Sequence, residues 1–301
     1  MSEAGRTLST DPSVSRKLRD ALRGHWPEYL MEAWGLGVFM IAAGVVATLL
    51  EYPGSPVHAA IGNADLRRFL MAVAMGLSAI AIIYSPWGQQ SGAHLNPAVT
   101  LTFWRLGKVA PVDAIFYVVA QFIGGMIGVV VVKWVLGDAF TAPPVRYVVT
   151  LPGEHGVIAA FVAEALISMG LMLAVLVVSN STRLQRLTGV FAGLLVASYI
   201  TFVAPVSGMS MNPARSLASA APSGVWDHLW IYFVAPPLGM LIAARLYVAV
   251  RSRAAVHCAK LDHAPQRRCI HCGHQPPATR GDVADGAAES PPESFTDEVR
   301  P

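Results

Sequence analysis

One tripeptide, Asn-Pro-Ala, occurs twice in this 301-residue chain, each time at the end of a loop rich in glycine or serine. The first copy lies in Ser91-Gly92-Ala93-His94-Leu95-Asn96-Pro97-Ala98-Val99-Thr100, the second in Ser207-Gly208-Met209-Ser210-Met211-Asn212-Pro213-Ala214-Arg215-Ser216. Asparagine is a favoured N-cap and proline a favoured first helical residue, so each copy predicts the start of a helix. The runs that follow, residues 96–106 and 212–221, are too short to cross a bilayer, which takes about 20 apolar residues.

Six other segments do reach that length approximately: residues 29–50, 69–85, 112–136, 157–178, 188–205 and 228–250. With 54% hydrophobic and 14% charged residues and a mean hydropathy of +0.49, the chain falls outside the usual soluble range. It reads as an integral membrane protein embedded in a lipid bilayer. Its net charge of +3 is small and its basic residues are scattered, which argues against a nucleic-acid partner. Residues 1–28 are polar and carry no cleavable leader pattern, so the first apolar segment is expected to act as an uncleaved signal.

Basic residues near the segment ends set the expected orientation. Arg6, Arg16, Lys17, Arg19 and Arg23, then Arg105 with Lys108, Arg183 with Arg186, and Arg245, Arg251 and Arg253 share one side if there are six spans. That side is expected to be cytoplasmic, with both termini there, against the dissent of Arg67 and Arg68.

The two halves, about 29–136 and 157–250, match beyond the tripeptide. Glu32 within Met31-Glu32-Ala33 corresponds to Glu164 within Ala163-Glu164-Ala165, and Ala120 to Gly124 corresponds to Ala235 to Gly239. Three spans per half is an odd number, so the second half must enter the membrane from the opposite face, and the repeat is inverted. The two short helices then meet at mid-membrane, where irregular backbone is tolerated only inside protein or along a water-filled cavity. Each N-terminus carries about half a positive charge, and the Asn96 and Asn212 amides can donate hydrogen bonds. Cations meet a barrier there, whereas neutral molecules with an acceptor oxygen do not.

Both Asn-Pro-Ala boxes, the Ser-Gly-Ala-His lead into the first and the arginine after the second resemble the aquaporin, or major intrinsic protein, family over about residues 29–250. The resemblance implies an all-α membrane protein of six transmembrane helices and two re-entrant half-helices in an inverted repeat, forming a homotetramer with a pore through each protomer. Pro97, Ala98, Pro213 and Ala214 belong to the pore boxes. A selectivity filter is implied at Met75, Ile200, Met209 and Arg215. Ile200 stands where strict water channels have histidine, and the two methionines make the lining flexible and apolar.

Other positions resemble water channels rather than glycerol facilitators: Ser216, Ala220, Tyr232 and Phe233. The expectation is therefore a bacterial-type passive water channel of the plasma (inner) membrane that excludes protons and ions. The alternative is a facilitator of glycerol, ammonia, hydrogen peroxide or metalloid hydroxides. A secondary active transporter would need a coupling-ion site, and the midplane offers no carboxylate pair for one. An enzyme is not expected, since the embedded Glu32 and Glu164 have no nucleophile or metal partner. The resemblance makes them acceptors for the re-entrant loops; His94 is expected to be a loop brace rather than a ligand or sensor.

Residues 251–301 turn polar, and 281–301, rich in Pro, Ser, Asp and Glu, are expected to be disordered. Cys258, His263, Cys269 and Cys272 precede them. A Cys-x2-Cys pair with a further Cys and His can satisfy tetrahedral zinc. The competing reading is a mobile basic tail whose Cys and His cluster by chance. No cofactor is otherwise required.

Overall fold

The computed structural model describes residues 12–276, so the segment 281–301 lies outside the described residues. Eight principal helices follow one another: α1 Pro12–Glu51, α2 Ala64–Tyr84, α3 Pro97–Arg105, α4 Pro111–Leu136, α5 Gly156–Ser179, α6 Thr188–Ser207, α7 Pro213–Ser223 and α8 Trp230–Arg251. All but α3 and α7 are long and apolar enough to cross a membrane. Proline opens α3, α4 and α7, where its missing N–H is no loss, and the Asn63 side chain caps α2 by accepting from Leu66 N.

The first helix starts well before residue 29, and residues 16–23 add Arg, Lys, Leu and Ala, all good helix formers, to its N-terminal turns. Those turns are tied down by the start of α4. The Tyr29 hydroxyl donates to Asp113 Oδ1 at 2.6 Å, and His25 Nδ1 lies 2.8 Å from the same oxygen.

Packing obeys the inverted repeat. The pair α1 and α4 is matched by α5 and α8, while α2 crosses α6 between the halves. Each short helix leans on the other half, α7 against α4 and α3 against α8. In both main pairs a glycine permits the approach. A Cβ on Gly124 would lie 2.0 Å from the Ala33 carbonyl oxygen, and one on Gly239 would lie 2.1 Å from that of Ala165. Ala33 and Ala165 follow Glu32 and Glu164, so close contact and buried carboxylate come as a unit in each half.

Helix α4 shows how the bilayer sorts residues. Ile115, Val119, Ile123 and Ile127, spaced by four, are exposed, whereas Tyr117, Gln121, Gly124 and Gly128 are buried. An apolar outer stripe is what lipid requires, and the inner face carries the small and polar groups.

Gly124→Ala should lower the thermal midpoint in detergent, followed by tryptophan fluorescence. Forcing a methyl against the Ala33 backbone costs about 1–3 kcal/mol. Gly24→Ala, with open space around it, should leave the midpoint unchanged or slightly raised.

Candidate functional site

Each Asn-Pro-Ala loop ends in an asparagine that does two jobs. The Asn96 side-chain oxygen accepts from Ala98 N at 2.8 Å, capping α3, while its amide nitrogen donates to the Met211 carbonyl of the other loop at 2.7 Å. Asn212 mirrors it. Its oxygen accepts from Ala214 N at 3.0 Å and Arg215 N at 3.2 Å, and its nitrogen donates to the Leu95 carbonyl at 2.7 Å. A primary amide has two N–H donors, so this reciprocal lock occupies one on each asparagine and leaves the second.

The loops reach this arrangement through unfavourable backbone. Gly92 and Gly208 have φ of 107° and 74°, which glycine adopts freely. Ala93, Leu95, Met209 and Met211 also have positive φ, between 45° and 56°, and each costs roughly 1–2 kcal/mol.

Two carboxylates offset that strain. Glu32 is fully buried and accepts from Ser91 Oγ, His94 N, Leu95 N and Gln121 Nε2 at 2.7–3.0 Å. Glu164, equally buried, accepts from Ser207 Oγ, Ser210 N and Met211 N at 2.7–2.9 Å. The correspondence fails at one point, because Gln121 is replaced by Pro236, which has no donor to offer. Tyrosines complete each brace: Tyr117 donates to the Ser91 carbonyl at 2.7 Å and Tyr232 to that of Ser207 at 2.6 Å. Sequence reasoning missed the asparagine lock, Gln121, Tyr117 and the bracing role of Tyr232. The tyrosine signal was present, since each stands seven residues before the close-approach glycine of its helix.

A cavity of about 480 Å³ runs past both asparagines. Met75 from α2, Ile200 from α6, Met209 from the second loop and Arg215 from α7 all line it, with Leu36, Phe39, Val99, Leu171 and Val196 among the other walls. Arg215 Nη1 is buried without a partner, so a charged donor in this apolar wall awaits an acceptor. Glu32 and Glu164 are not part of the lining; they act from behind the loops.

Behind the first loop, His94 Nε2 lies 2.8 Å from the Ala259 carbonyl oxygen and Nδ1 lies 3.1 Å from Thr100 Oγ1. Its ring stacks on Phe103 and on His271 of the tail. The structure also brings together the tail set Cys258, His263, Cys269 and Cys272, whose ligating atoms lie within 4.8 Å of one another. These four stand apart from the pore lining, which the tail joins through Leu261. Burial pushes the His271 imidazole down to about 4, with His94 adding to the effect, and burial also lowers the Lys260 amine.

Six spanning helices and two half-helices that meet through their asparagine caps inside one cavity define a channel-forming membrane protein. Residues 23–247 match the major intrinsic protein family, and the chain belongs to it. It is 35% identical over 232 residues to Aquaporin NIP2-3 of Zea mays, covering 75% of this chain and 74% of that protein. It is also 35% identical over 218 residues to Aquaporin NIP2-1 of Oryza sativa subsp. japonica, covering 70% of each. The fold is shared with the aquaglyceroporin from Plasmodium falciparum, at a TM-score of 0.64 and 23% identity over 76% of this chain and 98% of that one. The protein is thus an integral membrane channel passing water or small neutral solutes, and not an enzyme.

These relatives do not support the expected bacterial-type, water-channel-like kinship, since they are plant NIP aquaporins and an aquaglyceroporin. The structure supplies a reason the expectation misled. Tyr232 braces the Ser207 carbonyl, Ser216 Oγ bonds Thr150 and Ser210, and Ala220 is buried in α7. Residues there report how the second loop is held rather than what passes it.

Glu164→Leu should strand three loop donors, at roughly 1–3 kcal/mol each. Its thermal midpoint should fall well below that of Glu164→Gln, which keeps one acceptor oxygen, and both should fall below the wild type.

Proposed function

We propose that the protein is a passive channel for water and for small neutral solutes that carry hydroxyl groups, excluding protons and ions. One observation supports this reading above all: Arg215, with its unpartnered Nη1, shares its cavity with Met75, Ile200 and Met209. Such a wall offers a strong donor on one side and apolar surface on the other. A molecule with C–H groups and hydroxyl oxygens satisfies both sides at once; a hydrated ion satisfies neither. Histidine in place of Ile200 would add a competing polar group, and its absence favours a solute larger and less polar than water.

Exclusion of cations follows from the N-termini of α3 and α7, whose dipoles both place positive potential at the asparagine pair, reinforced by Arg215. Protons are cations by the same argument. The relatives' printed names, aquaporin and aquaglyceroporin, agree with a pore for neutral solutes. A strictly water-selective pore is the second reading, favoured by the printed aquaporin names of the plant relatives. The working assembly we propose is a homotetramer in the plasma (inner) membrane with both termini cytoplasmic. Arg105, Arg245 and Arg253 line one cleft near the end of α8, which supports that orientation.

Proteoliposomes under osmotic and solute gradients test this directly. Glycerol and urea uptake should accompany water flux without proton leak; water flux with no glycerol uptake would select the second reading, and proton conduction would overturn both. Arg215→Val should relax proton and solute exclusion by roughly tenfold while water flux persists, as expected when a charged hydrogen bond is lost. Ile200→His should shift the ratio of glycerol to water flux downward.

A further inference from the structure

The tail after α8 gathers four side chains of metal-binding chemistry that conduction does not use. Cys258 Sγ lies 3.4 Å from Cys269 Sγ, and His263 Nε2 lies 3.3 Å from Cys272 Sγ. All four ligating atoms fall within 4.8 Å of one another. A tetrahedral zinc ion with Zn–S bonds near 2.3 Å and a slightly shorter Zn–N bond sets ligand separations of about 3.5–3.8 Å, which matches this scale. Cys269 and Cys272 share a tight turn: Gly273 N donates to the Cys269 carbonyl at 3.0 Å, and Gly273 has φ of 76°, which suits glycine. All three thiols are free.

Charge balance points the same way independently. Lys260 is only 3% exposed, its amine donates to the Arg268 carbonyl at 3.0 Å, and among the described residues no carboxylate pairs with it. A buried ammonium without a counter-charge is costly. Zinc held by three thiolates and a neutral imidazole carries one net negative charge, and it would balance Lys260.

We propose that Cys258, His263, Cys269 and Cys272 bind one zinc ion, and that this ion fixes the tail as a seal across the adjacent mouth of the pore. The seal, though not the metal site, rests on the channel reading above. Leu261 sits between the first and second ligands, its N–H donates to the Gly92 carbonyl at 3.1 Å, and its side chain lines the same cavity as Asn96 and Asn212. Gln89 Nε2 donates to Asp262 Oδ2 at 2.8 Å, and the Arg268 guanidinium reaches buried Glu28 at 3.1 Å. The loop that carries the ligands is thus stitched onto α1 and onto the entrance of the first Asn-Pro-Ala loop.

The other half of the repeat shows why a metal is useful here. Thr150 and Leu151, beyond α4, pack on Gly208 as Ala259 and Lys260, beyond α8, pack on Gly92. The segment at 150–151 is anchored on both sides, by α4 and by α5. Within the described residues the tail has α8 alone, and zinc would close its loop upon itself.

Metal content and flux are read separately. Zinc in the purified full-length protein, measured by plasma mass spectrometry, should be one per chain. Cys272→Ser, at an exposed position, should surrender it to a competing chelator that leaves the wild type loaded. Cobalt substituted for zinc should give the intense visible absorption of a tetrahedral thiolate site. In proteoliposomes a membrane-permeant zinc chelator should raise water and glycerol flux several-fold, and Leu261→Ala should raise it with zinc still bound. Absence of zinc, equal retention by Cys272→Ser, or a Cys258–Cys269 disulfide in its place overturns the site. One zinc per chain with flux unchanged by chelation and by Leu261→Ala overturns the seal. A zinc-loaded chain that conducts nothing before or after chelation, or as Leu261→Ala, overturns the channel reading and the seal together, while the metal site stands.

Discussion

Two buried carboxylates outside the cavity lining hold the centre of this protein in place. Non-helical backbone at the middle of a membrane has no water to satisfy its N–H groups, and each orphan there costs several kcal/mol. Glu32 and Glu164 gather those groups, two backbone donors each, and accept side-chain hydroxyls or amides besides. The left-handed backbone of Leu95 and Met211 is sustainable because their N–H groups end on these oxygens at 2.7 Å. The close helix crossings at Gly124 and Gly239 fall beside the same carboxylates, so packing and polar satisfaction are solved at one place in each half.

Under the proposed function, the lining selects through what it lacks. Lock and cap together use one amide hydrogen and the oxygen of each asparagine, which leaves sparse donors in a mostly aliphatic cavity. Positive potential from two helix ends and one guanidinium faces those donors. A neutral solute exchanges water's hydrogen bonds for these few contacts at modest cost. An ion would lose far more hydration than they return.

Much of this was legible in the sequence, for identifiable reasons. Spans declare themselves by continuous apolar length, and the half-helices by an asparagine cap followed by proline. The paired Glu32 and Glu164 stood out because carboxylates in apolar helices are rare. That helix α1 begins before residue 29 was not legible, since a charged helical extension held by Asp113 has no apolar signature of its own. The Cys and His of the tail announced a candidate donor set by spacing. Their convergence depends on a loop path that spacing does not encode. Kinship read from Ser216, Ala220, Tyr232 and Phe233 went astray because three of these are buried in packing positions behind the second loop.

The asparagine lock also governs the order in which the molecule can be completed. The acceptor of the Asn96 amide, the Met211 carbonyl, lies 115 residues later in the chain, and that of Asn212, the Leu95 carbonyl, lies 117 residues earlier. During synthesis the first loop therefore stands half-satisfied while the connection, α5 and α6 are made. Contacts so distant in sequence form late, after the entropy of closing the intervening chain has been met. The middle of the pore is consequently closed only once the second loop has been made, and the lock engages both loops at the same moment.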